Sequence, residues 1–403
     1  MAVVVRAKTV VTNAPDVAQC GVTFDALEMF ADGAIVCEND AVAWTGRIDH
    51  LPEAYRGAEL QEFGDCVIVP GFVDAHSHPL FAGDREPDFA ARLRGEKPPL
   101  GMLYTVEQTR NALDHPVQFW KHLEPRLRMM AAHGTTTLET KTGYALHKPG
   151  EVELLDLIAQ HNDESGLPHL VATFLGAHAL PPEFLNEVDY VDYLIDQCLP
   201  VAKAHGAVYA DAFCELGFFS PEQTRRYLVS AREHGLRLRV HCDEMSFGAA
   251  AEMAVQLGVD AVDHCNYIRE ADVREIVERK IVLVACPATI AYLDLPQRAP
   301  VREVLKRGGT VAFASDYNPG TSPCFNLQTV AYFARKLFGL SAAEALYGTT
   351  RAAAQSLRID AGTLRPGASA DFVALRIASP DEFGWQFGGN LAAAVFRKGL
   401  RAA

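Results

Sequence analysis

Eight short β-rich runs alternate with longer helical stretches along the middle of this 403-residue chain. A texture of short strands and turns marks its two ends. Together these predict an α/β fold, a closed (β/α)8 TIM-like barrel with a small composite β-sandwich domain formed by both termini. The length agrees, since one barrel takes about 250 residues and leaves room for something smaller. The expected divisions are 1–66 for the first part of the small domain, 67–358 for the barrel and 359–403 for the remainder.

The N-terminal part holds β-prone stretches at Val3–Val5 and Ala34–Cys37, then the alternating Ala41-Val-Ala-Trp-Thr-Gly46. The C-terminal part repeats this, with a turn-rich Leu364–Asp371 before the strand Phe372–Leu375. Neither end has enough apolar residues for a core alone, so the two are expected to pair. Between them the predicted strands are Val67–His76, Thr135–Thr140, Leu170–His178, Val208–Glu215, Leu236–His241, Ala261–His264, Ile281–Pro287 and Thr310–Asp316. Helical patterns at Ser220–Glu233, Gly248–Leu257, Val301–Arg307 and Ser341–Tyr347 separate several of them. The rival, an open doubly wound sheet, normally carries a glycine-rich phosphate turn after an early strand, and none is present. Most strands end on a polar or ionisable residue: His76, Thr140, His178, Glu215, His241, His264 and Asp316. The carboxyl ends of barrel strands open on one face, so the pattern aims these residues at a single place.

Composition narrows the partners. Apolar residues make up 49% and support a sizeable core, and a net charge of −14 argues against nucleic acid or an anionic membrane surface. No apolar run approaches the roughly 18 residues of a membrane span. The first residues lack the basic-then-apolar pattern of a signal peptide. The nine cysteines are odd in number, scattered and without a CxxC pair, which argues against a disulfide scaffold and for a reducing cytoplasm.

The sharpest motif is Val69-Pro-Gly-Phe-Val-Asp-Ala-His76-Ser-His78. Side chains two apart on a strand share a face, so His76 and His78 can grip one ion together. Alone they would be two ordinary strand-end histidines. Adding His241 and Asp316, each closing a later strand, gives a three-histidine, one-aspartate set with a position left for water. An isolated Ser-Asp would instead read as a turn or helix cap. Glu244, three residues past His241, is placed to return a carboxylate to that water as general acid/base, against the alternative of a solvated loop glutamate. His264 either polarises a substrate carbonyl or orients the water, or is a core histidine; it is not assigned as a ligand. His178 and Tyr144 follow strand ends. Arg85 either forms a surface salt bridge or clamps a carboxylate. Asn318, Gly320 and Thr321 lie just past Asp316, where a glycine lets backbone approach a ligand.

The stretches PGFVDAHSHPLFAGDRE, ETKTGYAL, FLGAHALPPEF, FCELGFFSPEQTRR, HCDE, VDH and SDYNPGTSP, in this order and spacing, resemble the amidohydrolase superfamily. More narrowly they resemble the imidazolonepropionases of histidine degradation. The resemblance spans about Val67 to Leu357. It implies that His76, His78, His241 and Asp316 hold one zinc or iron ion. Glu244 would activate water with help from His264, and Arg85, Tyr144, His178, Asn318, Gly320 and Thr321 would contact the substrate. The implied reaction opens 4-imidazolone-5-propanoate to N-formimidoyl-L-glutamate, with Arg85 on the propionate tail and a homodimer as the assembly.

Two segments depart from that family. Where imidazolonepropionases usually carry a tyrosine and a long glycine-rich loop after the arginine, this chain has Gly95–Thr105, with Pro98 near the expected tyrosine and Tyr104 further on. In Ala285-Cys-Pro-Ala-Thr-Ile-Ala-Tyr292, Ala288 stands where a glycine is usual, and Cys242, Cys265 and Asn266 are unusual neighbours of the strand ends. The alternatives are an aminohydrolase or a ring opener for a related hydantoin, lactam or imidazolone. A non-catalytic scaffold on the same barrel would normally have lost ligands, and all four are present.

Overall fold

The computed structural model describes residues 2–162 and 164–403. Among the described residues, fifteen strands form two sheets. The terminal sheet contains β1 (Val3–Val11), β2 (Met29–Glu38), β3 (Ala41–Arg47), β4 (Glu59–Pro70), β13 (Phe372–Leu375), β14 (Ala392–Arg397) and β15 (Leu400–Arg401). The barrel contains β5 (Phe72–Asp74), β6 (Thr135–Lys141), β7 (His169–Ala177), β8 (Tyr209–Cys214), β9 (Arg237–Cys242), β10 (Ala261–His264), β11 (Val282–Ala285) and β12 (Val311–Phe313).

Barrel strands neighbour one another in chain order and run parallel. Closure comes just past the strand ends. Asp316 N donates to His76 O at 2.9 Å, His78 N donates to Tyr317 O at 2.9 Å, and Ser77 bridges Tyr317 in parallel. The strands read as nearly continuous apolar runs because helices cover their outer face, as in Leu170-Val-Ala-Thr-Phe-Leu-Gly-Ala177. Helix boundaries follow local chemistry. Ser220 and Gln223 form a capping box ahead of Pro221–Glu233, and Ser341 and Glu344 another ahead of Ala342–Gly348. Glu344 also accepts from Gly21 N and Arg302, tying the N-terminal segment to the barrel wall.

The two chain ends do share a sheet, in the order β15-β14-β13-β4-β1-β2-β3. It folds back on itself: Val42 N donates to Ala368 O at 2.8 Å and Ala370 N to Asp40 O at 3.0 Å, so the β3 edge meets the segment before β13. Its core is apolar, centred on Val5, Val10, Ile35, Ile68, Phe372 and Phe396. The Phe372 and Phe396 rings stack at 4.4 Å.

One expectation changes. The run Val67–His76 is not a single strand: Val67–Pro70 pairs with β13 in the terminal sheet, and only Phe72–Asp74 enters the barrel. Gly71 makes the crossing, and a Cβ there would lie 2.2 Å from Thr136 Oγ1. Two apolar stretches with no polar break look like one strand, which is why composition alone does not reveal the seam. Among the described residues no helix is long and apolar enough to cross a membrane.

Candidate active site

His76 and His78 leave the barrel just after β5, His241 is the fifth residue of β9, and Asp316 lies beyond β12. All four are buried. Their donor atoms converge. His76 Nε2 and His78 Nε2 are 3.2 Å apart, and His241 Nε2 is 3.3 Å from His78 Nε2. Asp316 Oδ1 lies 3.5 Å from His76 Nε2 and 3.4 Å from His78 Nε2. Ligand atoms around a tetrahedral ion with bonds of about 2.1 Å sit roughly 3.4 Å apart. The four separations are close to that spacing, so these residues could hold a small cation. Thr289 donates to the second oxygen of Asp316 at 2.7 Å and orients the carboxylate. Burial would raise the Asp316 pKa, but hydrogen bonds from His76 and His78 hold it well below the usual carboxylate range. Asp316 and His264 both have positive φ, 50° and 66°, a strained conformation that the surrounding strand ends enforce.

A cavity of about 210 Å³ opens over this cluster. His78, His241, Glu244, His264 and Asp316 line it, together with Arg85, Tyr144, His178, Asn318, Gly320 and Thr321. The chain thus brings every candidate ligand, proton-transfer and substrate-contact residue to one hollow, except His76, which lies beneath. Glu244 Oε1 is 3.8 Å from His264 Nδ1. Burial pushes the Glu244 carboxyl above its ordinary pKa, with Asp316 adding to the shift and His264 and His241 opposing it. His178 donates from Nδ1 to Gly143 O at 2.9 Å, which leaves Nε2 as an acceptor, and burial draws its pKa down to about 4. Its ring stacks on His78 at 5.2 Å. Asn318 is spent on its own loop: its oxygen accepts from Gly320 N at 2.8 Å and Thr321 N at 2.7 Å, and its amide donates to Asp316 O.

Arg85 is fixed through Nε, which donates to the fully buried Asp88. Asp88 also accepts from Leu100 N at 2.8 Å and Gly101 N at 3.1 Å, the start of the helix Gly101–Leu113. The terminal nitrogens of Arg85 lie beside Gly320 at the cavity wall, and Nη1 also reaches Thr105 Oγ1 at 3.5 Å.

Several lining residues were not foreseen. Arg92 enters the cavity and donates to Gly320 O at 2.7 Å. Met102, Phe213, Phe218 and Met245 complete the wall. Glu215 accepts from Met245 N at 3.0 Å and from the Ser246 hydroxyl, so it staples the loop that carries Glu244. Its place at the end of the fourth predicted strand was the available signal. Tyr104 does not reach the cavity; it lines a separate groove on the helix Gly101–Leu113.

Comparison with known proteins agrees with this geometry. A model described as the amidohydrolase family matches residues 201–384. An imidazolonepropionase of Cupriavidus taiwanensis is 36% identical over 385 residues, 93% of this chain and 92% of that one. One from Thermoanaerobacter pseudethanolicus is 34% identical over 406 residues, 98% of this chain and 96% of that one. Among solved structures, a guanine deaminase from C. acetobutylicum with bound guanine has a TM-score of 0.72 at 16% identity, each chain covered fully. An atrazine chlorohydrolase from Arthrobacter aurescens complexed with zinc has a TM-score of 0.73 at 18% identity, covering 99% of this chain and 94% of that one. At such identities the structural likeness attests to the fold alone.

The chain belongs to the amidohydrolase family, as a hydrolase acting on carbon–nitrogen bonds in cyclic amides. Its relatives within that family, alike over nearly the whole chain, are imidazolonepropionases.

Proposed function

We propose that this enzyme hydrolyses 4-imidazolone-5-propanoate to N-formimidoyl-L-glutamate. The observation that carries the reading is one cavity with convergent metal-ligand donors and an anchored arginine, Arg85, in its wall. His76, His78, His241 and Asp316 would hold a single zinc or iron ion. When bound, such an ion polarises the ring carbonyl and lowers the pKa of water toward neutrality. Glu244 removes a proton from the attacking water as its oxygen bonds to the ring amide carbon. The carbon–nitrogen bond then breaks, and Glu244 returns the proton to the departing ring nitrogen. A buried carboxyl with a raised pKa suits both transfers. His264 orients the water and the carbonyl. Arg85 takes the propionate, while Tyr144, His178 and the loop of Asn318, Gly320 and Thr321 shape the rest of the wall.

We assign residues 1–70 and 359–403 to the small domain and 72–358 to the catalytic barrel, with Gly71 at the crossing. A cytoplasmic homodimer is the proposed state. The deciding experiment incubates purified, metal-loaded enzyme with imidazolonepropionate. Loss of the ring's ultraviolet absorbance with stoichiometric formimidoylglutamate supports the reading. Ammonia release, or turnover of hydantoins or lactams instead, favours an aminohydrolase or a related ring opener. The placement of Met102 rather than Tyr104 in the wall makes that panel necessary.

A further inference from the structure

Directly beneath the histidines lies a charged cluster with no solvent exposure: Lys141, Arg239, Glu139, Asp211 and Asp263. They come from four strands of the barrel, β6, β8, β9 and β10. Lys141 Nζ is 2.8 Å from both Glu139 and Asp211. Arg239 donates to both oxygens of Asp263, at 3.1 and 2.9 Å. A barrel centre needs only packing, and apolar residues of similar volume usually fill such a place at no loss of stability. The charges call for another reason.

Their contacts supply it. Asp263 Oδ2 sits 2.7 Å from His76 Nδ1. Arg239 also donates to Ala75 O at 2.6 Å, and Glu139 accepts from Ser77 N at 3.2 Å. His76 is thus gripped at its ring and on both flanks of its backbone. Asp211 accepts from His241 N at 3.2 Å, and its other oxygen lies 3.0 Å from His241 Nδ1. A carboxylate thus stands beside Nδ1 of each ring, and both rings turn Nε2 toward Nε2 of His78, at 3.2 and 3.3 Å. Three carboxylates against two cations leave one negative charge in the cluster. That charge matches the single positive charge remaining on a divalent ion bound by three neutral imidazoles and one carboxylate.

We infer that this buried lattice is a positioning device for the metal ligands: Asp263 and Asp211 set the ring nitrogens of His76 and His241 before an ion arrives, and Lys141 and Arg239 hold the two carboxylates in place. The inference rests on the proposed metal site, and its test needs no substrate. In Asp263→Asn and Asp211→Asn, zinc affinity measured against a chelating dye falls roughly 10–100-fold. The visible spectrum of the cobalt-loaded variants shifts. Phe372→Ala in the terminal sheet serves as the control: it lowers thermal stability and leaves the cobalt spectrum unchanged. Folded variants with parental affinity and spectrum overturn the inference. Should the variants not fold, hydrogen exchange on the parent decides. The Ser77 and His241 amides keep their protection after the ion is stripped if the lattice holds the frame. Loss of protection on stripping means that the ion holds it, and the inference fails. A parent that loads an ion but opens no imidazolone ring defeats the functional reading alone.

Discussion

The interior of the terminal sheet and the centre of the barrel are equally dry and chemically opposite. The first is filled by aliphatic side chains and a stacked pair of phenylalanines. The second holds five charged side chains beneath three histidines. Burial of apolar area stabilises the sheet in proportion to what is covered, with little demand on orientation. A buried ion network adds little net stability, but it fixes direction, because each charge needs its partner at one distance and angle. The protein therefore keeps its ends together by packing and its reactive groups together by electrostatics. Damage to the two regions should have different signatures.

The largest loss is expected from His241→Ala or Asp316→Ala. Activity drops on the order of 10³-fold or more, and metal content per chain, measured by elemental analysis, drops with it. Glu244→Gln comes next: it keeps its metal and loses about 10²- to 10⁴-fold in kcat. Activity equal to the parent would remove Glu244 from proton transfer. Phe372→Ala sharpens the contrast. It should cost about 3–5 kcal/mol of stability by denaturant titration, while activity per folded molecule is unchanged. Arg85→Ala should weaken binding of acidic substrates through KM by roughly tenfold or more, the worth of a charged hydrogen bond, and spare neutral analogues.

The smallest effect concerns pH. His178 has its pKa drawn down to about 4 by burial. Between its ordinary value near 6.5 and that value, the unfolded chain binds a proton that the folded chain does not. Its contribution to stability is complete above this window and is lost as pH falls through it. A His178→Asn variant should show a shallower decline in thermal midpoint over the same range.

Much of this was legible from the residues. The strands announced themselves because most are short apolar runs closed by a polar residue, and several helices because their apolar residues recur at helical spacing. The His76–His78 pair could be read because two-residue spacing puts both rings on one side. The seam at Gly71 was hidden, since Val67–Pro70 and Phe72–Asp74 are equally apolar and only the partner strands differ. The charged lattice was hidden for another reason: Glu139, Asp211 and Asp263 look like residues near strand ends, and nothing local says that they face inward together. A cue existed in Arg239, two residues before His241 and therefore on the same side of β9. Arg92 and Met102 gave no cue, because which side of a helix turns toward the mouth depends on how the helices after β5 pack.

The pairing of Pro70 with Phe372 joins positions about 300 residues apart. At the usual pace of synthesis, roughly 5–20 residues per second, the first four strands wait some 15–60 seconds for their remaining partners to leave the ribosome. Over that interval the β4 edge that will receive β13 stands open, and a nascent chain with an open edge invites pairing with its neighbours. Ribosome-bound intermediates should be the most aggregation-prone form of this protein, and loss of the final thirty or so residues should make that exposure permanent.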